Sequence, residues 1–230
     1  MLFLLKIDQK NKTNQNNFSK VEKLRDFLNK VRIFAKNFIY VKQWSSKKTE
    51  VNSYINTSSV VFPNSRFLDI DLGRFNLKII NDTDPLIIKV KELRQKSFFE
   101  NSKKKKSDSD EYDKFCDHLV VIDKSVADDF VVGTYRLLLK PKLITKQRFY
   151  SESEFDISNL LASKKSTLLE AGRSCVHEQY RDGRIIRLLW RGLATYIINN
   201  RVDLIFGCAS FPSSNYKLFI KQLSYLYHYH

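Results

Sequence analysis

The sequence predicts an α/β domain built on a mixed β-sheet. Three observations lead there. From residue 75 onward the periodic segments run strand, helix, hairpin, strand, loop, helix, strand, helix, an order that interleaves helices with a sheet. Hydrophobic residues make up 43% and charged residues 28% of the chain, the balance of a folded globular protein and not of a disordered one. The 230 residues suffice for one ordinary domain with an extension and fall short of two full domains. Only 6 Gly and 4 Pro exclude collagen-like and Pro/Gly low-complexity classes, and 3 Cys, an odd count, argue against a disulfide scaffold. No apolar run approaches the roughly 20 residues of a membrane helix. Residues 1–5 are apolar but are followed by Lys6, Asp8 and Lys10 with no small-residue cleavage site, so the expectation is a cytosolic protein without a signal peptide.

Each element has a local justification. Residues 9–18 are polar and read as a linker. Ser19 and Glu22 have capping-box spacing, and Val21, Leu24, Leu28, Val31, Phe34 and Phe38 recur at helical period, which predicts an amphipathic helix over 19–44. Residues 44–66 read as a Ser/Asn/Thr-rich loop. Residues 1–66 are therefore a basic extension and 67–230 the folded domain. Residues 75–80 alternate as a strand, and the 81–85 run NDTDP is helix-start chemistry for a helix over 86–99. The 101–111 run NSKKKKSDSDE reads as a solvated loop. Residues 116–123 and 129–138 form a hairpin around a short polar turn. Residues 141–166 are a long excursion, of the kind that often carries function. Residues 167–177 form a strand, 184–200 a helix with Ile185, Ile186, Leu189, Trp190, Leu193 and Ile197 on its apolar face, 202–209 a strand and 215–227 a last helix.

The net charge is +15, and residues 1–50 alone hold 12 Lys/Arg against 4 Asp/Glu. Such an excess suits nucleic acid, an anionic membrane face or an acidic protein, or else reflects a Lys/Asn-rich coding bias. A nucleic-acid binder is disfavoured because the aromatics are not interleaved with the basic clusters. The basic helix over 19–44 fits a membrane surface or packs on its own domain.

Chemistry concentrates in residues 169–193, LEAGRSCVHEQYRDGRIIRLLWRGL. A strand runs into an Arg/Gly turn and then a helix start, where free backbone N–H groups and the helix dipole favour an anion. Arg181 and Arg184 flank that turn. The single Gly183 is far from a Walker loop. Arg184, Arg187 and Arg191 lie opposite the apolar stripe of the following helix. The four His show no metal-ligand spacing. Cys175 and His177 could share a strand face as nucleophile and base, or Cys175 is a buried structural thiol, the better reading.

The order strand–loop–helix with YRDG before the helix looks like the acyl-CoA turn of the GNAT acyltransferase superfamily. YDKFCDHLVVID (112–123), VVGTYRLL (131–138), FYSESEFD (149–156), LLEAGRSCVHEQYRDG (168–183), LLWRGLA (188–194) and FGCASFP (206–212) resemble the L-ornithine Nα-acyltransferases that begin ornithine-lipid synthesis. KELRQKSFFE (91–100) resembles that family's first helix. The resemblance covers about residues 70–227. It is distantly shared with the acyl-homoserine-lactone synthases. It implies a GNAT-like mixed, mostly antiparallel sheet flanked by helices. The family continues past the SYLYHYH block with sheet-closing sequence, so the expectation is a sheet lacking its C-terminal strands, with an exposed edge.

The resemblance also implies a reaction, transfer of a 3-hydroxyacyl group from acyl carrier protein to the α-amine of ornithine. The acyl-phosphopantetheine of the carrier is a co-substrate, with no permanently bound cofactor and no metal. Glu170 and Arg173 have the ExxR spacing of the lactone synthases; Glu170 is the expected base or amine-orienting carboxylate, or else a strand carboxylate in an ion pair. The two share a face only if a bulge, for which Gly172 is suited, re-aims one of them. Asp113 matches a lactone-synthase carboxylate, Cys116 stands where the second would be, and Asp117 is displaced by one. Asp113 and Asp117 are expected either to bind a cationic substrate or to cap a turn. Arg136, on an apolar strand, needs a carboxylate such as Glu170 or Asp113. Arg94 and Glu100 are expected to frame the acyl entrance. Arg181, Gly183, Arg184, Arg187 and Arg191 are expected to meet the phosphopantetheine and the acidic carrier. Alternatives are an acyltransferase for a different amine, or a non-catalytic remnant or binding module of the same fold. The expected location is the cytoplasm, with peripheral contact to the inner membrane face as an option.

Overall fold

In the computed structural model the described residues are 2–6, 68–99, 108–139, 148–162, 167–209, 211 and 215–229. The helix expected over 19–44, the Lys run at 103–106 and Glu100 lie outside them. The strands are β1 (Leu2–Lys6), β2 (Asp69–Leu72), β3 (Phe75–Ile80), β4 (Asp117–Asp123), β5 (Val131–Leu139), β6 (Leu168–Val176) and β7 (Leu204–Cys208). The helices are α1 (Ile87–Phe99), α2 (Ser158–Leu161), α3 (Arg184–Asn199) and α4 (Ile220–Tyr229). One sheet holds all seven strands in the order β1-β7-β6-β5-β4-β3-β2. Every pair is antiparallel except β6 and β7. That is the mixed, mostly antiparallel sheet that the sequence implied.

Period-two alternation sends the strand residues to two cores. Leu119 and Val121 of β4 pack with Leu77, Leu137, Ile185, Leu189 and Leu193 under α3. Val120 and Ile122, one residue out of phase, pack with Ile80, Val90 and Leu93 under α1. Helices therefore cover both faces of the central strands, which explains why β4 and β5 read as continuous apolar runs. The Asp84 side chain accepts from the Leu86 amide and Pro85 sits in the first turn, so the NDTDP run starts α1 as its chemistry required. A third cluster, with Cys116, Leu138, Phe149, Leu168 and Phe206, closes the sheet where residues 149–157 cross it.

The edge expected to stand open beside β7 is not open. β1 pairs with it from Leu2↔Cys208 to Lys6↔Leu204, so the chain's own N-terminal strand satisfies that row of backbone groups. The last helix begins as a 3-10 turn over Tyr216–Phe219 before α4, and it leaves Ile220, Tyr225 and Tyr227 exposed.

α3 approaches the sheet closely at Gly192. A Cβ there would stand 2.6 Å from Leu119 Cδ1 and 3.1 Å from Leu77 Cδ1, both on fully buried side chains. Ala normally gains about 0.5–1 kcal/mol over Gly in a helix interior. Gly192→Ala should nonetheless lower the unfolding free energy by about 1–3 kcal/mol through overpacking. Urea denaturation checks this, and an unchanged or raised midpoint would show that Leu119 rotates out of the way.

Candidate active site

β6 carries the irregularity that shapes the site. Thr134 of β5 faces Cys175 and Arg136 faces Gly172, so Arg173 and Ser174 together stand opposite Tyr135. This is a β-bulge. It sits one residue beyond the expected Gly172, because it is Arg173 that takes the left-handed conformation, with φ 49°. That conformation costs an L-residue roughly 1–2 kcal/mol. The bulge brings Glu170 and Arg173 to one neighbour. The Tyr150 amide donates to Glu170 Oε2 at 2.8 Å, and the Tyr150 ring lies 6.0 Å from the Arg173 guanidinium.

The bulge is tied to a buried set of charges. Arg94, on the inward face of α1, has no exposed surface. Its guanidinium donates to both Asp113 oxygens at 2.8 and 3.0 Å, and to Asp108 at 2.6 Å. Arg136 reaches Asp110 at 2.6 Å and Asp113 at 3.2 Å. Arg173 Nη2 lies 3.5 Å from Asp108 and 3.6 Å from Asp110. Three arginines thus meet three aspartates. Burial alone would raise the Asp113 carboxyl, but its hydrogen bonds with Arg94 and the charge of Arg136 hold it at about 2. Beneath them His118 is fully buried, its Nε2 3.4 Å from the Asp113 carbonyl and its Nδ1 without a hydrogen-bond partner among the described residues. Burial pushes its imidazole down to about 4.

Glu170 is buried where the sheet divides. β6 and β7 pair only from Leu168↔Leu204 to Glu170↔Phe206. Beyond that β6 continues to Val176 without pairing to β7. The 3-10 turn Tyr150–Ser153 caps this fork. The Ser151 amide and hydroxyl both donate to Glu170 Oε1, and Ser151 Oγ lies 3.3 Å from Cys208 Sγ. Burial pushes the Cys116 thiol up to about 12 and the Cys175 thiol up to about 11, so neither is a thiolate at neutral pH. That bears out the structural reading of Cys175. His177 packs on Phe130 and Tyr180.

The turn before α3 is anchored from below. Tyr180 Oη donates to Asp123 at 2.9 Å, and Asp123 also accepts from Arg74 and Ser125. The Arg74 bonds, with those of Ser125 and Tyr180, hold the Asp123 carboxyl far below the usual range. Gly183 is left-handed, with φ 91°, and precedes the first helical residue. Arg181 Nε donates to the Val176 carbonyl. Asp182 accepts from the Arg184 amide and pairs with the Arg184 side chain, so a carboxylate of the chain already stands at this helix start. Arg184 and Arg187 are exposed and Arg191 half-buried.

The structure brings Arg173, Arg136, Asp113 and Arg94 into one charge set, and Glu170 shares Tyr150 as a neighbour with Arg173. Arg136 pairs with Asp113, one of its two expected partners, and with Asp110; Glu170 bonds instead to the 150–151 turn. Asp117 lies apart and accepts from Tyr196 Oη. Arg181, Gly183, Arg184, Arg187 and Arg191 gather separately at the start of α3. The 101–111 run is not wholly solvated. Asp108 is buried and Asp110 half-buried, because Arg94, Arg136 and Arg173 need counter-charges. Asp108, Asp110, Tyr150, Ser151 and Asp123 are site or anchor residues that sequence reasoning missed. The FYSESEFD block marked the 150–151 turn but not its bonds to Glu170. Among the described residues no group of His, Cys, Asp and Glu is placed to hold a metal ion.

His118 stays neutral in the fold but protonates once the chain unfolds. Its contribution to stability is therefore complete above about pH 6.5 and is lost as pH falls toward about 4. Over that window the unfolding free energy should drop by on the order of 3 kcal/mol. His118→Gln should flatten this limb in denaturant titrations. An equally steep fall in both proteins would assign the acid sensitivity to another group.

Comparison with known proteins fits this architecture. Residues 93–191, which run from α1 through the bulge to the middle of α3, match the acetyltransferase (GNAT) domain family. The L-ornithine N(alpha)-acyltransferase of Agrobacterium fabrum is 43% identical over 129 residues, covering 54% of this chain and 44% of that protein. The enzyme of the same name from Rhodobacter capsulatus is 39% identical over 126 residues, covering 54% and 48%. That of Brucella abortus is 35% identical over 169 residues, covering 68% and 60%. The chain spans about half the length of the curated relatives it matches. Across the fork, the bulge and the α3 turn the chain thus carries a GNAT acyltransferase domain, and in this region it is similar to the L-ornithine N(alpha)-acyltransferases.

Proposed function

We propose that the chain transfers an acyl group, of the 3-hydroxyacyl class, from the phosphopantetheine arm of acyl carrier protein to the α-amine of ornithine. The observation that carries this reading is Glu170 at the fork between β6 and β7. Past Glu170 the side of β6 that turned toward β7 has lost its strand partner, and its amides and carbonyls suit an extended chain that carries amides of its own. A pantetheine arm is such a chain. Its thioester would lie beside Glu170 and its phosphate toward the α3 turn, near Arg181 and Arg184.

Glu170 supports the chemistry in a specific way. A carboxylate offers about four acceptor positions. Ser151 occupies both on Oε1, and the Tyr150 amide occupies one on Oε2. The remaining position on Oε2 suits an amine N–H. The amine nitrogen forms the C–N bond as the C–S bond breaks; its proton passes to Glu170 and then to the departing thiolate. No thiol nucleophile enters, in keeping with the raised Cys116 and Cys175. A lipid product must reach a bilayer, and the basic excess of residues 1–50 suits an anionic membrane face. No helix among the described residues is long and apolar enough to cross a membrane.

Glu170→Gln tests the proton acceptor. An amide turned to keep its oxygen on Ser151 puts its NH2 against the Tyr150 N–H and the incoming amine. Turnover should fall by roughly 10²–10⁴-fold. Ser151→Ala removes one donor and leaves Oε2 untouched, so its turnover should stay within about tenfold of the parent, as expected for the loss of one ordinary hydrogen bond. Mass spectrometry of N-acyl-ornithine reads both, and a Glu170→Gln protein of near-parental rate would overturn the role.

The donor has its own test. Acyl carrier proteins are acidic, and replacing Arg184, Arg187 and Arg191 together by Glu should raise KM for acyl carrier protein about tenfold or more and abolish its salt dependence. Acyl-CoA used as well as acyl carrier protein at equal concentration would overturn the carrier reading.

A further inference from the structure

The acceptor must be recognised as well as deprotonated, and the charge set around the bulge shows where. Of its six members, Arg94, Asp108, Asp113 and Arg136 are buried. Only Arg173 and Asp110 reach the surface, with 26% and 27% of their side chains exposed. Arg173 is also the most weakly engaged of the six. Arg94 and Arg136 make hydrogen bonds of 2.6 to 3.2 Å to carboxylates. Arg173 stands 3.5 and 3.6 Å from its two carboxylates, close enough for charge attraction but beyond good hydrogen-bond length. Among the described residues its fork of N–H donors has no close acceptor and suits another. Asp110 commits Oδ1 to Arg136 and to the Tyr112 amide, and as the cap of the following 3-10 turn its carboxylate also accepts from the Asp113 amide, while its Oδ2 has Arg173 at 3.6 Å.

The surroundings suit a small zwitterion. The rings of Phe98 and Tyr150 lie 5.7 and 6.0 Å from the guanidinium. The backbone amide of the same Tyr150 binds Glu170, so Arg173 and the carboxylate proposed to take the amine proton have one residue as a common neighbour. An α-amino acid carries on one carbon the amine and the carboxylate that these two receptors would bind. The set itself balances three positive against three negative charges. A ligand bearing both a carboxylate and a second ammonium can enter between Arg173 and Asp110 without upsetting that balance, whereas a simple anion or cation cannot.

We infer that the Arg173–Asp110 pair is the acceptor site, in which Arg173 grips the α-carboxylate of a diamino acid and Asp110 Oδ2 receives its side-chain ammonium. This rests on the acyltransfer reading for its chemistry but not for its binding. It gives the strained conformation of Arg173 a purpose, since a regular strand would turn that guanidinium away from Tyr150.

The test compares three amines on the full chain: L-ornithine, 1,4-diaminobutane, which lacks the carboxylate, and L-norvaline, which lacks the second amine. Calorimetry reads binding without any donor, and mass spectrometry with acyl carrier protein as donor reads acylation. The parent protein should prefer ornithine to either analogue by roughly 10–100-fold, the weight of a charge-assisted hydrogen bond. Arg173→Gln should collapse the preference over diaminobutane, and Asp110→Asn the preference over norvaline. Arg173→Lys keeps the charge that its aspartates need and loses the fork, so it should fold and retain only part of the preference. A merely structural role would weaken all three amines alike and leave the ratios standing, which overturns the site. Failure of the parent to bind ornithine overturns it too. Ornithine bound but never acylated overturns the acyltransfer reading and leaves this site in place.

Discussion

Arg94 cannot shed its proton and cannot reach water, and much of the molecule is arranged around that fact. It projects from α1 into a core lined by Val90 and Leu93. A lone guanidinium there would be prohibitive, so carboxylates must come to it. They come from the segment that leads into β4, where Asp108 and Asp113 close on it. Asp113 is shared with Arg136 of β5, and Asp108 extends to Arg173 of β6. A helix, a loop and two strands are thus held in register by one charge and its consequences. The bulge is the last link, because the left-handed Arg173 is where that chain of ion pairs meets the surface.

The same view explains what could be read from the residues alone. The strands β3 to β6 and the helix α3 were legible because their apolar residues repeat at period two or 3.6 and their ends carry turn chemistry. The helix expected over 184–200 is α3 at Arg184–Asn199. β1 was not legible. Five residues at the start of the chain carry no local sign that their partner is Cys208, and they read only as an apolar run too short for a membrane. β2 is a four-residue edge strand with alternating exposure, and it left equally little trace. Within the site, the spacing of Glu170 and Arg173 was readable, as was the need for a bulge between them. Its position was not: the left-handed residue is Arg173, whose carboxylate neighbours Asp108 and Asp110 come from a run that composition alone marks as solvent-facing. Tertiary charge pairing overrode the polarity of that run.

The site also separates its tasks by burial. His118, Cys116 and Cys175 are all held in their neutral forms by desolvation, which removes three otherwise capable groups from proton or acyl chemistry near pH 7. Glu170 is buried too, yet its donors among the described residues all come from Tyr150 and Ser151 and leave one acceptor position on Oε2. The α3 turn is fixed through Asp123 by Arg74, Tyr180 and Ser125, elements that take no part in the fork. The α3 turn and the β6–β7 fork thus rest on different supports.

The pairing of β1 with β7 bears on the order in which the chain can fold. Leu2 meets Cys208, so this contact closes a loop of about two hundred residues. Loop closure of that length is entropically unfavourable and slow compared with the hairpins on the opposite side of the sheet. During synthesis the first strand leaves the ribosome long before its partner exists, and it waits as an unpaired apolar segment while β2 to β6 assemble. Docking of Leu2–Lys6 onto β7 is then the closing step of the sheet. Until it happens, the strand that forms one wall of the β6–β7 fork has a free edge.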